Sequence, residues 1–253
     1  MASLPLTQLS LASLKRCLRE FYPEVASSHL TEALATALGF RTHASLRATL
    51  TEHTADPIIQ LIDNSQFIAR LNTLGYPISD DGIDNFESLG VKCSDLISTD
   101  PVSGYGIEYK STRAKAWRNL MVLMINEGIR QKYFSLRPFD NRWSGVKPKS
   151  SHLRDPDYIF DFLLPNGKPA KGYIEDAGAG ELAISAVVNP KANLINYSYP
   201  IGFDAGNACA TGWLERLEGA WLRSSPVLFN CRRKLMHELV QLNVQPLGYG
   251  DRG

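Results

Sequence analysis

Cysteine is scarce in this chain of 253 residues, and the four present, Cys17, Cys93, Cys209 and Cys231, never form a CxxC pair. That spacing excludes a zinc ribbon and a thioredoxin-type redox couple, and leaves free buried thiols as the expected state. The five histidines, His29, His43, His53, His152 and His237, are equally dispersed, so no metal is expected. There is no GxSxG elbow, no Walker lysine context and no complete GxGxxG, which removes the standard serine-hydrolase and nucleotide-binding signatures. Gly104-Tyr105-Gly106 and Gly178-Ala179-Gly180 read as turns. No apolar run approaches a membrane span. The opening Met1-Ala2-Ser3-Leu4-Pro5-Leu6-Thr7 lacks the basic and continuous apolar regions of a secretory signal. A cytoplasmic protein without a cofactor is expected.

Charge is present in an uneven pattern. The net charge of +1 conceals a segment, 56–108, with nine acids against two bases, followed by 110–154 with eleven bases against two acids. Residues 155–222 return to nine acids against four bases, and 223–253 carry a small basic excess beginning at Arg223, Arg232, Arg233 and Lys234. Two readings stand side by side: the stripes neutralise each other in the fold, or a basic and an acidic surface steer the protein to a charged partner.

Hydrophobic content of 44% supports a packed fold. Leu9, Leu11, Leu14, Leu18 and Phe21 recur at helical spacing up to Pro23, and Ser28 to Leu38 forms a second helix closed by Gly39. Thr42 caps a third helix containing Ala44, Leu46 and Leu50. Further helices are expected around Ile58, Ile59 and Ile62, from Ser65 to Leu74 before Gly75, and at Phe86 to Leu89. Ile107 and Tyr109 suggest a short strand. Ser111 then caps a long helix through Trp117, Leu120, Met121, Met124, Ile125 and Ile129, with Arg113, Lys115, Arg118, Arg130 and Lys132 outward or at its ends. Arg137 to Asp157, with three prolines and no period, reads as an exposed basic linker. Tyr158–Leu164 and Gly172–Ile174 flank the turn signal Asn166-Gly167, and Leu182–Val188 and Leu194–Tyr199 extend an antiparallel sheet. Trp213 to Trp221 and Leu228 to Leu242 read as closing helices. The class is α+β, divided into a helical module over 1–55, a helical region over 56–136, the linker over 137–157 and an α+β region over 158–253.

Three groups of residues bear on chemistry. Ile107-Glu108-Tyr109-Lys110 matches the ExK half of a PD-(D/E)xK nuclease, with Asp95 or Asp100 as the second carboxylate; such a site holds Mg²⁺ on carboxylates while lysine assists the attacking water. The opposing reading is a strand edge with solvated charges. Ser28 to Leu50 has the order of a helix-turn-helix reader, with Thr42, His43, Ser45 and Arg47 placed to reach bases, yet 1–55 carries only five bases against four acids. The basic linker, with Arg137, Arg142, Trp143, Lys147 and Lys149, is the candidate partner-binding surface. Glu175, Asp176 and Glu181 read as an acidic hairpin end.

The stretch Leu34-Ala35-Thr36-Ala37-Leu38-Gly39-Phe40-Arg41-Thr42-His43-Ala44-Ser45-Leu46-Arg47-Ala48 resembles a helical module at the N-termini of uncharacterised plasmid and mobile-element proteins. Proteins of that neighbourhood include counter-defence factors, and the size, striped charge and missing catalytic motif resemble anti-CRISPR proteins that bind a multisubunit complex. The resemblance implies a non-enzymatic inhibitor whose partner is a host protein or ribonucleoprotein complex, such as a CRISPR surveillance complex, and assigns no residue roles. A metal-dependent nuclease and a DNA-binding regulator are the alternatives.

Overall fold

A computed structural model describes residues 2–52, 57–78, 86, 96–98, 107–136, 158–191, 203–216, 219–223 and 228–252. The chain forms an α+β fold, with six helices among the described residues, mostly N-terminal, and strands mostly C-terminal. It divides into two compact units, Met1–Pro101 and Val102–Gly253, so the boundary falls inside the stretch 56–136 that the sequence groups as one helical region.

In the first unit, β1 (Ala2–Pro5) is the middle strand of a three-stranded antiparallel sheet, between β2 (Ile59–Ile62) and β3 (Ile97–Ser98). All four residues of β1 are buried. The helix expected at Ile58 to Ile62 is therefore a strand. Five residues between Pro57 and the cap Asp63 are too few to repay helix nucleation, and β1 supplies a ladder that the β-branched isoleucines suit.

Four helices pack beside this sheet. α1 (Gln8–Phe21) starts where the Thr7 hydroxyl accepts from Ser10 N–H at 3.0 Å. α2 (Ser27–Ala37) ends in a Schellman motif. Gly39 adopts φ +80°, Phe40 N–H donates to Ala35 O at 2.8 Å and Gly39 N–H to Thr36 O at 2.9 Å. α3 (His43–Glu52) carries the expected Thr42 cap, which accepts from Ser45 N–H at 3.2 Å. α4 (Asn64–Thr73) closes at Gly75 in the same manner as α2. Leu4, Leu14, Leu18, Leu30, Leu34 and Phe67 lead one continuous core, and Phe86 stacks edge-on against Phe67. Phe86 apart, the helix expected at 86–89 lies outside the described residues.

The second unit is one long helix on a seven-stranded sheet. α5 (Thr112–Arg130), capped by Ser111, buries eleven residues and packs on β4 (Tyr158–Leu163), β5 (Pro169–Gly178), β6 (Glu181–Val188) and β7 (Ala208–Glu215). The approach is close: a Cβ at Gly172 would lie 2.5 Å from the Phe160 ring and 2.9 Å from Met124. The expected β4–β5 hairpin turns at Gly167, with φ +78°, and β4 to β7 are antiparallel neighbours. One edge of β7 is shared by β8 (Trp221–Arg223) and β9 (Phe229–Cys231), and β10 (Gly250–Arg252) runs parallel to β8. α6 (Arg233–Val240) packs on α5.

Three expectations are corrected here. Trp213–Glu215 and Trp221 lie in strands β7 and β8 rather than in a helix: Leu214 and Leu222 are buried cross-strand partners, while Trp213, Glu215 and Arg223 are half-buried. The closing helix begins at Arg233, because Phe229–Cys231 is drawn into the ladder with Ala208–Ala210. Ile107 and Tyr109 belong to an irregular segment, not a strand. The strand expected at 194–199 and the linker 137–157 lie outside the described residues.

Arg118 is also corrected, from outward to inward. Its guanidinium meets Asp251 at 3.1 Å and donates to Val244 O at 2.9 Å. It belongs to a polar stripe that binds α5 to the C-terminal segment. Asn119 donates to Leu239 O and Leu242 O, both at 2.9 Å, satisfying carbonyls at the end of α6. Asn126 donates to Gln245 O at 2.8 Å and accepts from Leu247 N–H at 3.0 Å and the Tyr249 hydroxyl at 3.1 Å.

Candidate binding groove

Glu108 and Lys110 sit on the irregular segment before α5, each 80% exposed, with their charged ends 3.6 Å apart. Solvent screens such a pair, and its position differs from the buried strand that orients an ExK site. Asp95 and Asp100 lie outside the described residues, as do Arg137, Arg142, Trp143, Lys147 and Lys149. Beside Glu108 a cleft of about 310 Å³ is walled by Tyr109, Trp117 and Phe229. Its polar groups are engaged: Tyr109 donates to Asp251 at 3.1 Å, and Arg113 donates to Phe229 O and lies over the Phe229 ring. Burial, with the Asp251 charge beside it, pushes the Tyr109 hydroxyl far above its ordinary value. Among the described residues no group of three or more His, Cys, Asp or Glu is gathered to hold a metal.

The acidic hairpin end is as expected. Gly178, Ala179 and Gly180 all take positive φ in the β5–β6 turn, Asp176 accepts from Gly178 N–H at 2.9 Å, and Glu181 pairs with Arg223 at 3.3 Å. A second cleft, of about 300 Å³, lies against the same sheet between Glu175, Ala183, Thr211, Trp213 and Leu228.

In the helix pair α2–α3, Thr42, Ser45 and Arg47 are exposed and His43 is half-buried. Thr42 and Ser45 cap one another: Ser45 N–H donates to the Thr42 hydroxyl, and the Ser45 hydroxyl donates to Thr42 O at 2.8 Å. His43 and Arg47 instead line a groove of about 270 Å³ between α1 and α3. Helical periodicity builds both of its walls. Gln8, Leu11 and Lys15 form one stripe of α1; His43, Leu46, Arg47 and Leu50 form one of α3; Thr31 and Leu34 of α2 make the floor.

The walls share a pattern of apolar middle and polar or cationic rim, and no carboxylate is among the described lining residues. Lys15 is held below the ordinary lysine value, first by partial burial and then by the neighbouring Arg19. Lys15, Arg16, Arg19, Arg41 and Arg47 make no ion pair or side-chain hydrogen bond among the described residues. This groove was missed in the sequence, although the stripes at i, i+3, i+4 and i+7 were its signal.

No family model matches the chain, and no curated protein or solved structure matches it either.

Proposed function

We propose that this chain is a non-enzymatic binding protein that occupies a surface of a host protein or ribonucleoprotein complex, a counter-defence role of the anti-CRISPR kind. The groove between α1 and α3 is part of its contact surface. One observation carries the reading: among the described residues, an apolar trough rimmed by Lys15, His43 and Arg47 has no acidic residue in its lining. Cations that pair with none of the described residues raise the encounter rate with an acidic surface, and apolar walls hold what has been encountered. The sequence resemblance of residues 34–48 to a mobile-element module and the segregated charge along the chain support this reading.

Affinity purification of the full chain at low salt, from cells carrying a CRISPR surveillance complex, tests it. We expect a stoichiometric complex that weakens as salt rises and is lost when Lys15→Glu and Arg47→Glu are combined. Recovery of no complex refutes the reading. Mg²⁺-dependent cleavage of labelled DNA or RNA that disappears with Glu108→Ala would put the nuclease in its place.

A further inference from the structure

We infer that the α1–α3 groove docks an acidic amphipathic α-helix supplied by the partner. This rests on the binding reading above and adds the chemistry of the occupant. The shape is the first ground. Two helical walls over a helical floor leave a trough, and a helix presents apolar side chains at i, i+3, i+4 and i+7, the same spacing that built the walls. Its volume of about 270 Å³ falls just below the range of about 300–1,000 Å³ in which small-molecule sites engulf their ligands, and suits a few inserted side chains.

The surface chemistry is the second ground. Leu11 lies half-buried in the trough, and the buried Leu34, Leu46 and Leu50 present their edges to it. A phosphate backbone laid over it would make little use of this apolar surface, because nucleic acid binding draws chiefly on phosphate charge. A peptide helix fills it. Charge is the third ground. Lys15 on one wall and Arg47 on the other leave cations on both sides, so carboxylates flanking the apolar stripe of the incoming helix meet a cation whichever way they project. Lys15, partly desolvated and beside Arg19, gains most from such a carboxylate.

A displayed library of helical peptides of about four turns, panned against the full chain, tests the occupant directly. We expect enrichment of Leu, Ile or Phe at i, i+3 or i+4, and i+7, flanked by Asp and Glu. A recovered peptide should bind about tenfold more weakly to Arg47→Glu, a difference resolvable by fluorescence anisotropy. Ala12→Tyr places a bulky ring in the trough at an exposed position and should abolish binding, with the circular dichroism spectrum unchanged. Enrichment of neutral or basic flanks, or equal binding by Ala12→Tyr and Arg47→Glu, overturns the inference. So does duplex DNA that outcompetes the peptides and depends on Arg47. The two proposals fail separately: a host complex still captured by Ala12→Tyr preserves the binding role and removes the helix from the groove.

Discussion

Cations meet opposite fates in the two units. In Val102–Gly253 those that reach inward end on defined acceptors: Arg118 on Asp251, Lys171 on Asp161 at 2.6 Å, and Arg216 on Gly180 O at 3.0 Å and Ser135 O at 2.8 Å. In Met1–Pro101 the five described cations of α1, α3 and the turn before α3 end on none of the described residues. The contrast separates charge that organises a fold from charge that no described residue engages. Deleting Arg118 leaves the part-buried Asp251 without its cation, whereas deleting Arg47 removes no ion pair made with a described residue.

Substitutions can break or sharpen this contrast. The largest effect is expected at Asn126, where alanine leaves the buried Leu247 N–H without its acceptor, removes the donor to Gln245 O, and leaves the Tyr249 hydroxyl with Val122 O, at 3.3 Å, as its remaining acceptor. Urea unfolding followed by tryptophan fluorescence should show a loss of about 3 kcal/mol. Asp251→Ala comes next. It removes the partner of Arg118, whose side chain is 18% exposed, and the acceptor of Tyr109; a loss of roughly 2 kcal/mol is expected. It should also bring the Tyr109 ionisation part of the way back toward its ordinary value, read by alkaline ultraviolet titration; burial sustains the remainder.

The smallest effect, and one of opposite sign, is expected at Lys15. Its pKa is lowered on folding, so at alkaline pH below 10.5 the unfolded chain binds more protons and the Lys15 contribution to stability rises with pH. At neutral pH the charged form opposes folding. Lys15→Met should therefore raise the thermal midpoint at pH 7 and lose that advantage as pH approaches 10.5. A midpoint lowered at pH 7 would mean that Lys15 is bound into the fold like Arg118.

Local chemistry made much of this fold readable. The caps at Thr42 and Ser111, the stops at Gly39 and Gly75, and the turn at Asn166-Gly167 fix their elements within a few residues, so nearest neighbours suffice. β1 depends instead on β2, more than fifty positions away, and nothing in Ala2-Ser3-Leu4-Pro5 announces a central strand. Trp213, Leu214, Ala220 and Trp221 mimic a helical face by accident of spacing, and the ladder between β6, β7 and β8 decides otherwise. Asn119 and Asn126 read as gaps in the apolar face of α5 until their partners at 239–249 are placed beside them. The groove had the same character. Leu11, Leu34, Leu46 and Leu50 were legible as helix faces, but an opening between α1 and α3 is a property of their packing.

The dependence of α5 on residues 239–251 also sets a schedule for biosynthesis. Ribosomes deliver residues 112–130 well before the last strand, and until that strand emerges Asn119, Asn126 and Arg118 face the nascent chain without their acceptors. The N-terminal unit is complete in sequence by then, so its packing does not wait on residues 239–251.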